Sequence, residues 1–559
     1  MYYNILIGGA AGQGMDTLAS LLEKIIKRQG FHIFTTRDYM SRVRGGHNFI
    51  QVRFGNEVLR SHWNELDCIV ALNEETLTIH AGRLKSAGLI ICDEEIPSLD
   101  RRQIRLPLKT VARTIGNSRI LGTVALGAVL KSFGIEIEKS KEVIQGIFDS
   151  EDIIAQNNSA LIEGHKLVKE SFSIERQEEQ NNILLNGNQA IGLGAIAAGC
   201  KFYSAYPMTP STSIMDYLAS KMYKAEIVVE QAEDEIAAVM MAIGASYAGV
   251  RAMTGTSGGG FSLMVEALGL SGMMEIPLVI AEIQRPGPVT GLPTRTEQSD
   301  LKFVISASQG EFPRMVIALK NLEDAFYQTV RAFNIADKYQ IPVIILGDQF
   351  LADHTTTVKP FQLDRIENNR YLCSNDYIGE KEYKRYEITE NGISPRIIPG
   401  KVPGKTVLAD SDEHDEYGRI TESAEIRTSM CDKRMRKMDY LIGELQEPDF
   451  IGNEKCDVLL LAWGSLHGPV SEAVKLLNLE EGNKFGALVF GDIWPLPTVL
   501  LKDKATKADK IINIEQNATG QLASVIAEIT GIRCSSSFLK YDGRQISSQD
   551  IMMYLQEKK

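Results

Sequence analysis

Apolar runs of strand length and apolar stripes of helical period alternate along this chain. Residues 2–7 (YYNILI) read as a strand, and a glycine-rich turn follows. Asp16 to Lys27 then carries Leu18, Leu21, Leu22, Ile25 and Ile26 at the spacing of one helix face. Short apolar runs at Cys68–Leu72 and Leu89–Cys92 predict further strands, and Leu121–Ser132, rich in Leu, Ala and Gly, predicts a helix. Strands alternating with helices predict an α/β fold with mostly parallel sheets.

The alternation is interrupted twice. Ser173–Asn182 (SIERQEEQNN) is polar, charged and without apolar period, which predicts a linker between a first domain at 1–172 and a second at 183–355. The second α/β domain ends near the buried-looking run IPVIILGD. Residues 356–455 are charge-dense and punctuated by Pro and Gly, so an irregular segment wrapping over other parts is expected. CDVLLLA at Cys456–Ala462 opens a third α/β domain, 456–559. At 559 residues the chain is too long for one ordinary core, which agrees with a multidomain α/β fold.

Composition narrows the function classes. A net charge of −12 argues against a general nucleic-acid binder or a partner of anionic membranes. No apolar run approaches the roughly 18–20 residues that span a bilayer, and the N-terminus lacks a basic leader, so a cytoplasmic protein is expected. The seven cysteines are scattered and never form C-x-x-C, which argues against an iron–sulfur cluster or structural zinc within this chain.

Candidate chemistry clusters at the predicted strand ends, where open α/β sheets bind ligands. GGAAGQG (Gly8–Gly14) lacks the middle glycine of a dinucleotide fingerprint and the lysine of a P-loop, leaving a tight turn or a phosphate contact as its two readings. SRVRGGHNF sets Arg42, Arg44 and His47 around Gly45 and Gly46, a phosphate cradle or a solvated hairpin turn. YPMTPST places Tyr206, Thr209 and further hydroxyls on a loop stiffened by Pro207 and Pro210, with Ser211 a candidate N-cap. In EQAEDEIAAVMMAIG, Glu233 and Asp234 read as ordinary first-turn acids. Glu235 shares the buried stripe of Ala238, Val239, Ala242 and Ile243, where a carboxyl needs a partner or a proton. TGTSGGGFSLM has three successive glycines, Gly258 to Gly260, that allow a ligand or partner chain to approach the backbone. Arg285, held by Pro286, could grip a carboxylate or form a surface ion pair.

Taken in order, these motifs resemble the 2-oxoacid:ferredoxin oxidoreductases, in particular an α subunit with a γ-type domain fused at its N-terminus. GGAAGQG and RVRGGHNF resemble the γ domain. YPMTP, EDEIAA, RAMTGTSGGGFSLM and QRPGPVTGLPT resemble the pyrimidine-type thiamine diphosphate domain. GISPRIIPG and EHDEYGRITE are typical of the 2-oxoglutarate branch, and GDIWPLP with IEQNATGQ resembles a transketolase C-terminal-like domain. The resemblance implies thiamine diphosphate-dependent oxidative decarboxylation of a 2-oxoacid, with 2-oxoglutarate favoured, coenzyme A taking the acyl group and ferredoxin the electrons. It makes Glu235 the acid that hydrogen-bonds the N1′ nitrogen of the cofactor and activates it. Tyr206, Thr209 and Arg285 become substrate contacts, while Gly258, Gly259, Arg44, Gly45 and Gly46 become cofactor-binding positions. Arg396 and His414 are candidates for a distal carboxylate.

The usual diphosphate–magnesium motif (G-D-G followed by N-N) is missing, as is any ferredoxin-type cysteine pattern. The resemblance therefore places Mg2+ and [4Fe-4S] on a separate β subunit and implies an (αβ)2 assembly with a shared active site. Two other readings compete: a non-redox thiamine diphosphate decarboxylase or transketolase-like subunit, and a non-catalytic nucleotide-binding regulatory subunit.

Overall fold

A computed structural model describes residues 2–40, 46–175, 177–373 and 382–557. The chain forms two compact units that interleave along the sequence. One comprises Met1–Leu185, His354–Pro360 and Ser547–Met553; the other comprises Asn186–Asp353, Phe361–Ile546 and Tyr554–Lys559.

The first unit is built on strands β1 (Tyr2–Ala10), β2 (His32–Asp38), β3 (His47–Gly55), β4 (Leu66–Ala71), β5 (Leu84–Asp93), β6 (Gln103–Leu106) and β7 (Ile183–Asn186). They lie in the order β6-β5-β4-β1-β3-β2, followed by Thr355–Val358 and β7. Only the β6-β5-β4-β1 half is parallel; β1 with β3 and β3 with β2 are antiparallel. The expectation of a mostly parallel sheet is therefore corrected here to a mixed one. The short link from Asp38 to His47 is the cause, because a parallel pair needs a long crossover and a short link permits only a hairpin. The helix Met15–Arg28 buries Leu18, Leu21, Leu22, Ile25 and Ile26, the stripe visible in the sequence. Residues 173–182 carry neither helix nor strand where described.

The second unit contains two sheets. Strands β8 (Cys200–Ala205), β9 (Val228–Gln231), β10 (Arg251–Thr256), β11 (Leu278–Gln284), β12 (Met315–Ala318) and β13 (Pro342–Asp348) form a parallel sheet ordered β12-β13-β11-β10-β8-β9. Every residue of β10, β11 and β13 is buried, as befits strands covered by helices on both faces. A five-stranded sheet follows, with Val458–Trp463 between Phe485–Phe490 and Lys510–Glu515. The two sheets share one core in which Ile280 and Ile344 join Leu461, Trp463 and Phe490. The strand Asp492–Trp494 even pairs antiparallel with β12, closing that edge of the first-mentioned sheet.

Within 356–455, expected to be irregular, Ala424–Leu441 is an 18-residue helix. Its inward face carries Lys433, Arg434 and Lys437 between Met430 and Leu441, so apolar periodicity could not reveal it. The two lysines converge on Glu275, each at 2.5 Å, and all three side chains are essentially inaccessible. Burial alone would raise the Glu275 carboxyl, but Lys433, Lys437 and Arg385 together hold it well below the ordinary carboxylate range. Removing one member of such a cluster strands the others without solvent or counter-charge. Glu275→Ala is thus expected to lower unfolding stability by about 3–5 kcal/mol in urea titrations, whereas a loss below about 1 kcal/mol would show that the cluster does not anchor this helix.

Candidate active site

The carboxyl ends of β8, β10 and β11 point the conspicuous motifs toward one another. The helix Glu235–Tyr247 starts with Asp234 as N-cap, its carboxylate accepting from the Ala237 amide at 2.7 Å. That cap leaves Glu235 in the first turn, facing inward with Ala238, Val239, Ala242 and Ile243, as the sequence pattern predicts. Glu235 is 4% exposed, and its Oε1 finds no hydrogen-bond donor among the described residues. A buried carboxyl oxygen without a donor is costly and calls for an external one.

The next helix, Gly258–Met273, starts right after β10 and supplies the surface against which Glu235 rests. A Cβ placed on Gly260 would lie 2.1 Å from Thr256 Oγ1 and 2.5 Å from Glu235 Oε1. A Cβ on Gly258 would meet Asp300 Oδ2 at 2.4 Å, and one on Gly259 would meet the Val289 carbonyl at 3.6 Å. The glycine run thus admits the protein's own Glu235 and Asp300 at its two ends, leaving Gly259 the most open position. Ser257 occupies the N-cap position without capping, and its hydroxyl is buried and unpartnered. The first amides of this helix therefore receive no side-chain cap.

YPMTPST and the arginine loop meet directly. Arg285 Nη1 donates to the Thr209 carbonyl at 2.7 Å, and Met208 Sδ lies 3.8 Å from Thr256 Oγ1. Burial pulls the Arg285 guanidinium below its ordinary value, although the group stays a cation at any physiological pH. Tyr206 is 40% exposed at the rim. Ser211 sits at the start of the helix Thr212–Ala225 but does not cap it; its hydroxyl donates back to Met208 O at 2.8 Å, tightening the loop instead. Asn188 completes the bracing by donating to Pro210 O at 2.8 Å.

Several relevant residues escaped the sequence reading. Gln298 bonds Asp348 at 3.1 Å, and its backbone is held by Gln516 O at 2.8 Å and by Asn517 Nδ2 at 3.0 Å. Gln521 grips the same loop through Ser299 O at 2.6 Å and the Lys302 amide at 2.9 Å. IEQNATGQ therefore fastens the loop that runs on from Arg285. Glu282 and Asp300 were also missed; a lone acid inside the apolar strand LVIAEIQ was the available signal.

Other candidates fall elsewhere. Arg396 is buried and bonded to Asp337 at 2.7 Å, in a cluster that also includes Arg251 and Arg370. His414 is fully buried against the Tyr386 ring, and burial lowers its pKa, so it is neutral. The distal-carboxylate role is accordingly withdrawn for both, because buried polar positions inside the wrapping segment use them up. In the first unit, Gln13 closes the GGAAGQG turn by accepting from the Ala10 amide at 2.7 Å. Arg44 and Gly45 lie outside the described residues, and Gly46 belongs to this unit with φ +77. His47 turns inward to His80, Nε2 to Nε2 at 2.8 Å.

A buried acid in a helix's first turn, an uncapped Gly-rich helix start beside it, and a braced Arg–Thr loop gather at the carboxyl ends of one parallel sheet, where α/β enzyme subunits bind their ligands. The profile described as "Pyruvate flavodoxin/ferredoxin oxidoreductase, thiamine diP-bdg" matches residues 193–433. Those described as "Pyruvate ferredoxin/flavodoxin oxidoreductase" and "Pyruvate:ferredoxin oxidoreductase core domain II" match residues 4–167 and 456–551. A Sulfolobus 2-oxoacid:ferredoxin oxidoreductase subunit alpha is 32% identical, covering 96% of this chain and 94% of that one. The Methanothermobacter thermautotrophicus 2-oxoglutarate synthase subunit KorA is 33% identical over 60% of this chain and 87% of its own. Among solved structures, the 2-oxoglutarate:ferredoxin oxidoreductase of Magnetococcus marinus, with 2-oxoglutarate, coenzyme A and succinyl-CoA bound, superposes with TM-score 0.93 at 32% identity. That match covers 100% of this chain and 99% of the other. The chain belongs to the 2-oxoacid:ferredoxin oxidoreductase family, as an α-type subunit.

The contact between Gly260 and Glu235 makes a sharp expectation. Gly260→Ala overpacks the turn and is expected to cost about 1–3 kcal/mol. Adding Glu235→Ala removes the obstructing carboxyl, so the double variant should be less destabilised than the sum of the single ones. Additive losses in a denaturation-based double-mutant cycle would show that the two residues do not press on each other.

Proposed function

We propose that this chain supplies the pyrimidine-and-substrate half of an enzyme that converts a 2-oxoacid and coenzyme A into acyl-CoA and CO2, passing two electrons to ferredoxin. The observation that carries this reading is the buried Glu235 carboxyl with one oxygen lacking a donor, pressed against an open glycine turn. The residues present fit thiamine diphosphate: Glu235 would hold the aminopyrimidine nitrogen, and the start of the Gly258 helix, which Ser257 leaves without a side-chain cap, would face the cofactor. Bound there, the cofactor supplies an electron sink for loss of CO2 from the 2-oxoacid. Glu235 holds the proton at the pyrimidine nitrogen. Arg285, positioned by its bond to Thr209 O, receives the 2-oxoacid carboxylate through its remaining donors, with Tyr206 and the Thr209 hydroxyl beside it. The half-buried Met208, in contact with the buried Thr256, narrows the space behind them.

The favoured substrate is 2-oxoglutarate, on the likeness to the KorA subunit and to the Magnetococcus enzyme. The β subunit carries Mg2+, the diphosphate contacts and [4Fe-4S], and two αβ pairs assemble as (αβ)2 in the cytoplasm. Support for a partner on this face comes from apolar side chains left open beside the site. Ile236, Met240 and Leu263 are 51%, 42% and 50% exposed and line a groove of 560 Å³. Arg44, Gly45 and Gly46 stay proposed as cofactor-binding positions.

The test is co-expression with the β-type partner and an assay of CoA-dependent viologen reduction across several 2-oxoacids. Glu235→Gln is expected to reduce kcat by about 10²–10⁴-fold, the range for losing a positioned proton-transfer group. Equal rates for Glu235→Gln and wild type would remove Glu235 from the chemistry. Arg285→Ala should raise KM for the 2-oxoacid by at least about tenfold while leaving KM for coenzyme A unchanged, and Arg285→Lys should recover only part of the loss. Absence of reduction with every 2-oxoacid, cofactor and clusters being present, would overturn the assignment.

A further inference from the structure

Behind the glycine turn lies a second pair of acids that the chemistry above does not use. Glu282 stands in the middle of the sheet on β11, in register with Thr256 on β10 and Leu346 on β13. It is fully buried, and neither of its carboxyl oxygens finds a donor among the described residues. The group it does face is another acid: the Asp300 carboxyl reaches it side chain to side chain. Asp300 also rests on the Cα of Gly258 and, through its backbone amide, donates to Gln284 Oε1 at 3.0 Å. One residue thus touches the strand that leads into Arg285, the far end of the Arg285 loop and the glycine turn.

Two ionised carboxylates cannot share such a place. Among the described residues, the charged groups that act on Glu282 are two acids, Asp300 and, on β13, Asp348. Asp348 is already satisfied, by Ser465 at 2.5 Å, Gln298 at 3.1 Å and the Leu351 amide at 2.9 Å, and has no donor to offer. Glu297, half-buried next to the pair, only adds negative charge. The missing donor must therefore be a proton on one of the two acids.

We propose that Glu282 and Asp300 hold one proton between them, and that this shared proton fastens the Arg285 loop to the Gly258 turn. Glu282 is then a positioning residue, acting through Asp300 on the place where Arg285 meets substrate. Burial, with Asp300 and Asp348 adding to it, pushes the Glu282 carboxyl far above the ordinary range, and burial pushes Asp300 up to about 6. Asp300 is the less buried member and gives the proton its route to solvent. The folded chain binds this proton more tightly than the unfolded chain does. The pair's contribution is therefore present at acid pH and is lost as pH rises through its titration. Losing the proton leaves two like charges in contact, and the loop end is pushed off the turn.

The part concerning substrate rests on the role proposed for Arg285, whereas the proton itself does not. Infrared spectra of the assembled complex, recorded from about pH 5 to pH 9, read the proton directly as a protonated-carboxyl stretch. That band should persist at neutral pH, shift in ²H2O and vanish in Glu282→Gln, whose amide supplies the donor permanently. KM for the 2-oxoacid should rise about tenfold per pH unit above the band's titration, with kcat little changed. In Glu282→Gln, KM should stay flat across the same range. Asp300→Asn offers the same comparison at the more accessible position should the first variant fold poorly. Absence of a band that depends on either residue overturns the shared proton. A band accompanied by the wild-type KM profile in Glu282→Gln overturns its hold on the loop. If Arg285→Ala leaves KM unchanged while the band remains, the substrate reading of Arg285 fails and the proton stands.

Discussion

Three segments of the chain come within touching distance of a single helical turn, and the site exists because that turn has no side chains. Asp300 rests on Gly258, the Val289 carbonyl on Gly259 and Glu235 on Gly260. Asp300 and Val289 belong to the connection that follows β11, and Glu235 to the one that follows β9, so the turn works as a common reference surface for both. Any Cβ at either end would displace a carboxyl rather than a flexible apolar tip, and the displacement would reach the loop that bears Arg285. Backbone bulk, more than any single bond, sets the dimensions here.

The loop is secured from its other side by residues of the C-terminal sheet region. Asn517 and Gln521 spend their amides on the backbone of Gln298 and Ser299, while Gln298 reaches Asp348 at the end of β13. A Gln or Asn side chain offers donors and an acceptor without bringing charge. That suits a place already crowded with carboxyls, where a cation would draw Glu282 and Asp300 toward full ionisation. The amide-rich motif and the acid pair thus belong to one electrostatic design: the loop is held by neutral groups so that its own charges, above all Arg285, stay available.

Much of this was legible in the residues. Glu235 betrayed itself because its helix carried apolar partners on the same face, and the strand ends at Ala205, Thr256 and Gln284 followed from apolar runs broken by Pro and Gly. What stayed hidden was whatever depends on distant segments meeting. The helix Ala424–Leu441 buries charges, so its period is invisible until Glu275 is seen to receive them. Arg396 and His414 looked available in sequence and are enclosed in the fold. Ser211 had the chemistry of a cap but spends its hydroxyl on Met208, because the Pro-stiffened loop brings that carbonyl closer than any helix amide. The mixed sheet of the first unit turned on the length of one connection rather than on any residue's preference.

The strand Thr355–Val358 pairs with β2, Thr355 opposite Thr35, although the whole Asn186–Asp353 segment of the other unit is synthesised between them. Ser547–Met553, near the end of the chain, also belongs to the N-terminal unit. During translation, most of that unit emerges well before the segments that complete it, so its β2 edge is made long before the strand that pairs with it. A fragment ending near residue 172 would keep that edge permanently open. The N-terminal unit of this chain is consequently ill suited to excision as a free-standing module.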